Sequence, residues 1–514
     1  MLLNILQSLL IAAGSLAFAI LIARLVFPAP TRTDCETVPA RPPAEAGALA
    51  AAVTELTAQN PGLTGIAPLP IGQDAFAARI LLADAAVSSI DAQYYIWRTD
   101  MTGHLLLKAL HRAAERGVRV RLLLDDNGID RLDRVLAGLD AHPNINVRFY
   151  NPFNLRRFKR LSFVFDFIRL NHRMHNKAFT VDGRTSILGG RNVGNEYFGT
   201  GTTPLQIDLD VLAVGDIVPQ ISDDFDRYWN SAPVVPAAQV LRPANDSTPI
   251  APALAAFDDD PQFHAYCTLL ETSDFLASLA RGDLELEWTD VVLVSDDPAD
   301  SFRHEPRREL FATRLFEAVG PIQSRFDSVT PYLVPGAAGV VALADLQKRG
   351  VVVRMLTNSL EATDAVTVHA GYTKRRPAML QAGIQLFELR KEAAVDEAVN
   401  GVGRFGSSGS SLHAKTFAVD GARVFVGSFN FDPRSMILNT EMGLLIESAS
   451  MAQAAHQAFD QGLNGIAWRV EKRDRKMVWI EPPEGPVVTL EPGSTLMRRM
   501  TLRVVGALPV EWLL

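Results

Sequence analysis

Cysteine is nearly missing from this chain: there are two in 514 residues, Cys35 and Cys267, far apart in sequence. So few thiols exclude a disulfide framework and a cysteine-based metal site, and no structural dependence on redox state is expected. Positive charge is also short. Fifty Lys and Arg stand against 58 Asp and Glu, a net charge of −8, and the pI is near 5.7. A dedicated nucleic-acid binder carries a basic face and a high pI, so this balance argues against DNA or RNA and leaves room only for a local basic groove. Charge of either sign is absent from residues 1–23, and the apolar character runs to about Phe27. That run suits a bilayer crossing, which takes roughly 20 apolar residues. It has no Lys or Arg ahead of it and no small-x-small site behind it, which favours a retained anchor over a cleaved signal peptide. Arg24 and Arg32 favour keeping the C-terminal flank inside, and the orientation stays open.

What is present reads as a globular chain with two lobes. Apolar residues make up 48% and charged residues 21%, a balance that excludes disorder. The expected segments are an anchor over 1–29, a linker over 30–59, lobe one over 60–240, a connection and insertion over 241–320, lobe two over 321–465 and a tail over 466–514. Pro28 and Pro30 end the first helix, and Pro/Ala-rich residues 37–52 form the linker. In lobe one, Asp91 to Trp97 predicts a buried strand, Leu105 to Arg116 a helix closed by Gly117, and Val118 to Leu124 a second strand running into Asp125-Asp126. Lobe two repeats the order: a strand over Phe326 to Leu333, a helix over Val340 to Arg349 closed by Gly350, and a strand over Val351 to Leu356. Such strand–helix–strand units favour parallel pairing with helices on both faces. Pro233 to Pro252 reads as the inter-lobe connection, and 254–320 has no counterpart in lobe one. The tail's end, from Arg498 to Leu514, reads equally as a membrane-facing amphipathic segment or as one packed on the body.

Each lobe then carries one copy of a spaced pattern, His-x-Lys-x(4)-Asp-x(6)-Gly-[Gly/Ser]-x-Asn. The first, within 169–196, is His175, Lys177, Asp182, Gly189-Gly190 and Asn192. The second, within 407–434, is His413, Lys415, Asp420, Gly427-Ser428 and Asn430. On a strand, His and Lys two apart share a face. Val-Asp-Gly at 181–183 and 419–421 is a hairpin turn signal. The small residues after it let backbone and phosphate approach closely. Each hairpin therefore offers an imidazole, an ammonium and an amide to a shared point. Phosphodiester cleavage needs a nucleophile, and a neutral imidazole serves. It needs an acid for the leaving alcohol, and an imidazolium serves. It needs charge stabilisation at the phosphate, for which Lys177, Lys415, Asn192, Ser428 and Asn430 are candidates. An oriented histidine usually has a carboxylate on its other nitrogen, and Asp208 and Glu441 are the candidates. Asp182 and Asp420 belong to the catalytic motif, with a structural part in holding the hairpin and a lysine. No metal and no cofactor is required by this set.

Lipid contact is suggested by Asn154 to Leu170. It interleaves Arg156, Arg157, Lys159, Arg160 and Arg169 with Phe158, Phe163, Phe165 and Phe167, and either docks on anionic headgroups or is a buried aromatic helix with solvated basic ends. His172 lacks a Lys two residues on and is a decoy. His369 is either a headgroup contact or a satisfied polar residue.

The duplicated motif resembles the signature of the phospholipase D superfamily. The stretches Asp91 to Trp97, Gly117 to Asp126, Arg169 to Lys177, Pro331 to Gly336 and Leu356 to Tyr372 look like the bacterial cardiolipin synthase branch, most like the C-type synthases. The resemblance implies an α/β fold of two similar lobes, each a mixed sheet flanked by helices, related by a pseudo-twofold with one shared active site behind an N-terminal transmembrane helix. It implies no metal, a phosphohistidine on His175 and acid catalysis by His413. It implies phosphatidyl transfer between glycerophospholipids such as phosphatidylglycerol and phosphatidylethanolamine at the bacterial inner membrane, with room for an accessory protein. Two rivals share the site: a phospholipase D that uses water and releases phosphatidic acid, and a nuclease-like phosphodiesterase. The acidic stretches Asp258-Asp259-Asp260 and Asp296-Asp297 are a departure with no place in this scheme.

Overall fold

The computed structural model describes the chain apart from residues 1, 34–36, 201–204, 244–249, 272–277, 279–282, 300–309, 392–409, 475, 509 and 514. Cys35 and the first residues of the second motif segment, 407–409, lie outside the described residues.

Helix α1 (Leu2–Val26) comes first. Its span from Leu6 to Val26 has a mean hydropathy of 2.4, and none of that stretch is buried against the protein. After it, lobe one contains β1 (Thr64–Leu69), α2 (Gly72–Ala85), β2 (Ser89–Trp97), α3 (Met101–Glu115), β3 (Arg119–Ile129), β4 (Ile145–Tyr150), α4 (Lys159–Leu170), β5 (Ala178–Val181), β6 (Thr185–Gly189), β7 (Gln206–Ile207), β8 (Asp210–Gly215), α5 (Ile217–Trp229) and β9 (Val234–Pro236). The insertion adds β10 (Glu287–Thr289) and β11 (Val291–Ser295). Lobe two contains β12 (Arg325–Val329), α6 (Gly336–Lys348), β13 (Val352–Asn358), α7 (Val366–Gln381), β14 (Gln385–Leu389), β15 (Ser411–Leu412), β16 (Thr416–Val419), β17 (Arg423–Gly427), β18 (Met442–Ile446) and α8 (Ala449–Asp460). The tail forms β19 (Ala467–Arg473), β20 (Lys476–Ile480), β21 (Val487–Val488) and α9 (Leu496–Ala507).

Two mixed sheets result. The first runs β10-β1-β8-β6-β5-β2-β3-β4-β9 and the second β11-β18-β17-β16-β12-β13-β14-β19-β20-β21. Their middles match: β8-β6-β5-β2-β3-β4 in one, β18-β17-β16-β12-β13-β14 in the other. The parallel pairs β2·β3 and β12·β13 are the expected strand–helix–strand units. Their continuous apolar character follows from burial on both faces, as in Leu122 and Leu124 on one face and Leu123 on the other. Gly117 and Gly350 close the crossover helices at φ +92 and +89, a conformation that glycine adopts without strain. The two sheets meet over an apolar seam in which Leu188, Val211 and Ala213 of lobe one join Val424, Val426 and Leu444 of lobe two.

Several segments differ from the expectation. The strand over Phe326 to Leu333 stops at Val329, because Pro331 supplies no N–H to a ladder. The connection beginning at Pro233 opens with β9, an edge strand on β4. The insertion is no separate unit: β10 pairs with β1 of lobe one, and β11, one residue later, pairs with β18 of lobe two. The acidic stretches also find places. Asp258 pairs with Lys108; Asp296 accepts from the backbone of Glu441 at 3.0 Å and pairs with Arg314. The tail extends lobe two's sheet through β19 to β21. Helix α9 packs along α7, where Arg375 pairs with Glu511, and leaves Leu496, Met497, Met500 and Val504 outward. The buried-aromatic reading of α4 holds only in part: Phe165 is buried and Arg157 and Arg160 are exposed, but Arg156 and Lys159 turn inward to Asp126, and Leu161, Val164 and Ile168 face out.

Candidate active site

The motif histidines and lysines stand in extended chain just ahead of β5 and β16, not within a strand. Both segments are tied across the seam. The amide of His175 donates to the carbonyl of Thr440 (2.9 Å), and that of His413 to the carbonyl of Ile207 (2.7 Å). Thr440 and Ile207 immediately precede Glu441 and Asp208. Each histidine therefore meets the other lobe's acid. Nδ1 of His175 lies 2.9 Å from Oε2 of Glu441 and 3.0 Å from the carbonyl oxygen of Ser428. Nδ1 of His413 lies 2.5 Å from Oδ2 of Asp208 and 3.0 Å from Nζ of Lys415. The carbonyl on His175 can only accept, so the proton sits on Nδ1 and Nε2 keeps its lone pair.

The lysines turn back on their own segments, Lys177 donating to the carbonyl of His175 and Lys415 to that of His413. All four groups are buried. Burial, then Lys177, Lys415 and His413, holds the His175 imidazole well below its ordinary range. Burial and Lys415 lower His413 too, against the pull of Asp208. Lys177 is brought down to about 7 by burial and by Lys415. The cations of both lobes thus act on one another, as one site requires.

The carboxylates diverge. Burial pushes Glu441 up to about 7, against Lys177 and the hydroxyl of Ser428. Burial works in the same direction on Asp208, but His413, Lys415 and Arg191 outweigh it and hold that carboxyl at about 2. The glycine and serine of the motif tails match this difference. A Cβ on Gly190 would stand 2.0 Å from Oδ1 of Asp208, so the missing side chain makes room for that acid rather than for phosphate. Ser428, which stands at the position of Gly190 in the second motif, donates its hydroxyl to Glu441 at 2.5 Å.

Of the other motif residues, the two aspartates hold their hairpins, as expected, and the asparagines divide. Asp182, named with the catalytic residues, sits at the hairpin turn with φ +55 and accepts from the amides of Val87, Ser88 and Ser89. Asp420, also at φ +55, accepts from Gln323, Ser324 and Arg325. Each clamps its hairpin to the start of the strand beside it, at the end away from the histidine, and neither reaches a motif lysine. Asn192 is occupied: it accepts from Ile96 N and donates to the Tyr197 hydroxyl, both at 3.1 Å. Asn430 differs, since its buried Oδ1 has no hydrogen-bond partner among the described residues. His172 binds the carbonyl of Leu438. His369 is satisfied by Glu491 at 2.9 Å.

Three residues at the site went unread in the sequence. Tyr95 and Tyr197 set their rings edge-on to His175 and His413, each at 5.1 Å. Tyr95 stands at a register shift between β2 and β3, and a Cβ on Gly128 would collide with its carbonyl at 1.6 Å; that glycine was the available signal. Asp432 is pushed up to about 7 by burial.

A family model described as the cardiolipin synthase, PLD-like domain matches residues 80–229 and 317–463, once in each lobe. The chain belongs to the cardiolipin synthase family of phospholipase D-like proteins. Within this family, cardiolipin synthase C of Escherichia coli (strain K12) is 45% identical over 471 residues, covering 91% of this chain and 99% of that protein. A cardiolipin synthase of Oceanobacillus iheyensis is 25% identical and covers 76% of this chain and 67% of its own length. The crystal structure of phosphatidylserine synthase from Haemophilus influenzae Rd KW20 superposes with a TM-score of 0.55 at 13% identity, covering 90% of this chain and all of that one. At that identity it establishes the shared fold alone.

Proposed function

We propose that this protein is a membrane-anchored phosphatidyltransferase that forms cardiolipin from glycerophospholipids at the bacterial inner membrane. The carrying observation is the crossed pair of histidine–carboxylate contacts, which brings both motifs to one buried centre. The neutral, Nδ1-protonated His175 is the nucleophile. Its Nε2 attacks the phosphorus of phosphatidylglycerol; a P–N bond forms, and the P–O bond to the headgroup glycerol breaks. His413, with the ionised Asp208 behind it, gives its proton to the leaving oxygen. His413 then takes a proton from the headgroup hydroxyl of a second phosphatidylglycerol. That oxygen attacks phosphorus, and cardiolipin leaves with His175 restored. Phosphatidylethanolamine enters the first step with ethanolamine as leaving group. Lys177 and Lys415 steady the phosphate oxygens.

The test is lipid analysis by mass spectrometry after incubating the purified membrane protein with phosphatidylglycerol and phosphatidylethanolamine, beside His413→Ala. Cardiolipin formed only by the intact protein is expected. Phosphatidic acid alone would make it a hydrolase, and absence of both products would point to a required accessory protein or another phosphodiester.

A further inference from the structure

Helix α4 is apolar on both faces. An amphipathic helix on a soluble body turns its apolar stripe inward and a polar one outward. Here Phe165 and Leu170 are buried on the inner side, where Lys159 also donates to the carbonyls of Asp126 (2.7 Å) and Ile129 (2.8 Å), and Arg156, ahead of the helix, pairs with Asp126 and with Asp133. The outer stripe is Leu161, Val164 and Ile168, with exposures of 55%, 62% and 73%, and it runs across a kink at Asp166. Phe158 and Phe167 widen it. Exposed apolar surface costs roughly 25 cal/mol per Å² in water, so a contiguous stripe of this kind marks a contact.

What covers it is indicated by its neighbour. Arg24, in the last turn of α1, donates from Nε to the carbonyl of Phe165 at 2.5 Å. Asn154 donates to the carbonyl of Phe27 at 3.0 Å, and the rings of Phe27 and Phe165 lie 6.3 Å apart. The stripe is therefore continuous with the end of a helix whose apolar span nothing in the protein buries. Arg157 and Arg160 remain exposed at its N-terminal border, where anionic headgroups would meet them.

We infer that the outer face of α4 lies in the lipid interface beside α1, so that the two helices together seat the catalytic cleft on the membrane. Helix α4 ends at Leu170, and His175 follows within five residues. An embedded α4 holds that histidine at the level of the headgroups, so a phospholipid reaches it without leaving the bilayer. This inference rests on reading α1 as lipid-embedded and the substrate as a glycerophospholipid.

The test reads placement and turnover separately. Full-length protein with Cys35→Ser and Cys267→Ser receives one new cysteine, Val164→Cys or Ile168→Cys, carrying an environment-sensitive fluorophore. It is reconstituted in vesicles of phosphatidylethanolamine and phosphatidylglycerol containing doxyl-labelled lipid. Val87→Cys, exposed beside the Asp182 clamp at the far end of lobe one, is the control. Blue-shifted emission quenched by doxyl lipid at 164 and 168, but not at 87, is expected. Water-like, unquenched emission at both positions overturns the inference. So does a blue shift without quenching accompanied by cross-linking between copies, which would make the stripe a protein–protein interface. As the second arm, Val164→Asp combined with Ile168→Asp should lower turnover of vesicle lipid about tenfold while sparing short-chain phosphatidylglycerol dissolved as monomers. Equal losses on both substrates would also overturn it. The quenching arm reports on α4 even if no cardiolipin is formed.

Discussion

The two half-sites carry the same imidazole and ammonium, yet the acids behind them differ in length and in charge. Behind His413 stands Asp208, the shorter acid, admitted by the bare backbone of Gly190 and held ionised. Behind His175 stands Glu441, the longer acid, met by the hydroxyl of Ser428 and poised near neutrality. The difference teaches how one duplicated motif can supply both a nucleophile and an acid. The fixed negative charge of Asp208 on Nδ1 opposes the lowering of His413 by burial and Lys415, whereas the raised carboxyl of Glu441 gives His175 less support against the same burial.

The sharpest way to break this comparison is to remove each imidazole. His175→Ala and His413→Ala should each lower turnover by about 10³-fold or more. They should differ in what they trap: with a phospholipid bearing an activated leaving group, His413→Ala accumulates covalent phosphatidyl-protein and His175→Ala none, as intact-protein mass reads directly. The reverse pattern would exchange the two roles.

The acids come next. Asp208→Asn should cost about 10²-fold in turnover, and Glu441→Gln about tenfold, since only the first removes a standing charge. The pH profile separates them further. Glu441 is protonated below about 7 and ionised above, and its anion makes Nε2 of His175 the better nucleophile. Turnover should therefore rise as pH climbs through about 7, and Glu441→Gln should lose that limb while Asp208→Asn keeps it. Stability follows the opposite signs. Asp208, lowered on folding, contributes stability above the ordinary carboxylate range that is lost as pH falls toward 2. Glu441, raised on folding, contributes below the ordinary range and loses it as pH rises through about 7.

The smallest effect separates the two turn clamps. Asp182 is buried, and Asp420 is partly exposed. Asp182→Ala should cost about 2–3 kcal/mol of stability and Asp420→Ala about 1–2, because the amides released at residue 182 are the less able to find water. Thermal unfolding checks the order; equal losses would mean that burial makes no difference there.

Much of this was legible in the sequence because it is local or periodic. The spaced motifs, the strand–helix–strand units and the charge-free run over residues 1–23 are read along the chain. Asp208 and Glu441 were also found, by their place after each motif. Their partners were not, since the crossing depends on His175 meeting Thr440 and His413 meeting Ile207 through folds of the chain. The turns at Asp182 and Asp420 were legible but their partners were not, for a related reason: spacing tells that an acid stands at a turn, but not which amides the turn faces. For α4 the sequence left two readings open, because interleaved Arg and Phe do not show that Leu161, Val164 and Ile168 face outward. Tyr95 was hidden by a bulge that shifts the alternation of its strand.

The crossed contacts have a consequence for inheritance. A substitution in the first half of the gene changes the titration of a histidine encoded by the second half. The halves can therefore drift only as a matched set, and a recombinant joining one lobe to a foreign partner inherits an imidazole without its own acid. By the same logic, two fragments cut in the connection between the lobes should each be inert and regain turnover on reassociation. The duplication has made of one chain an obligate couple.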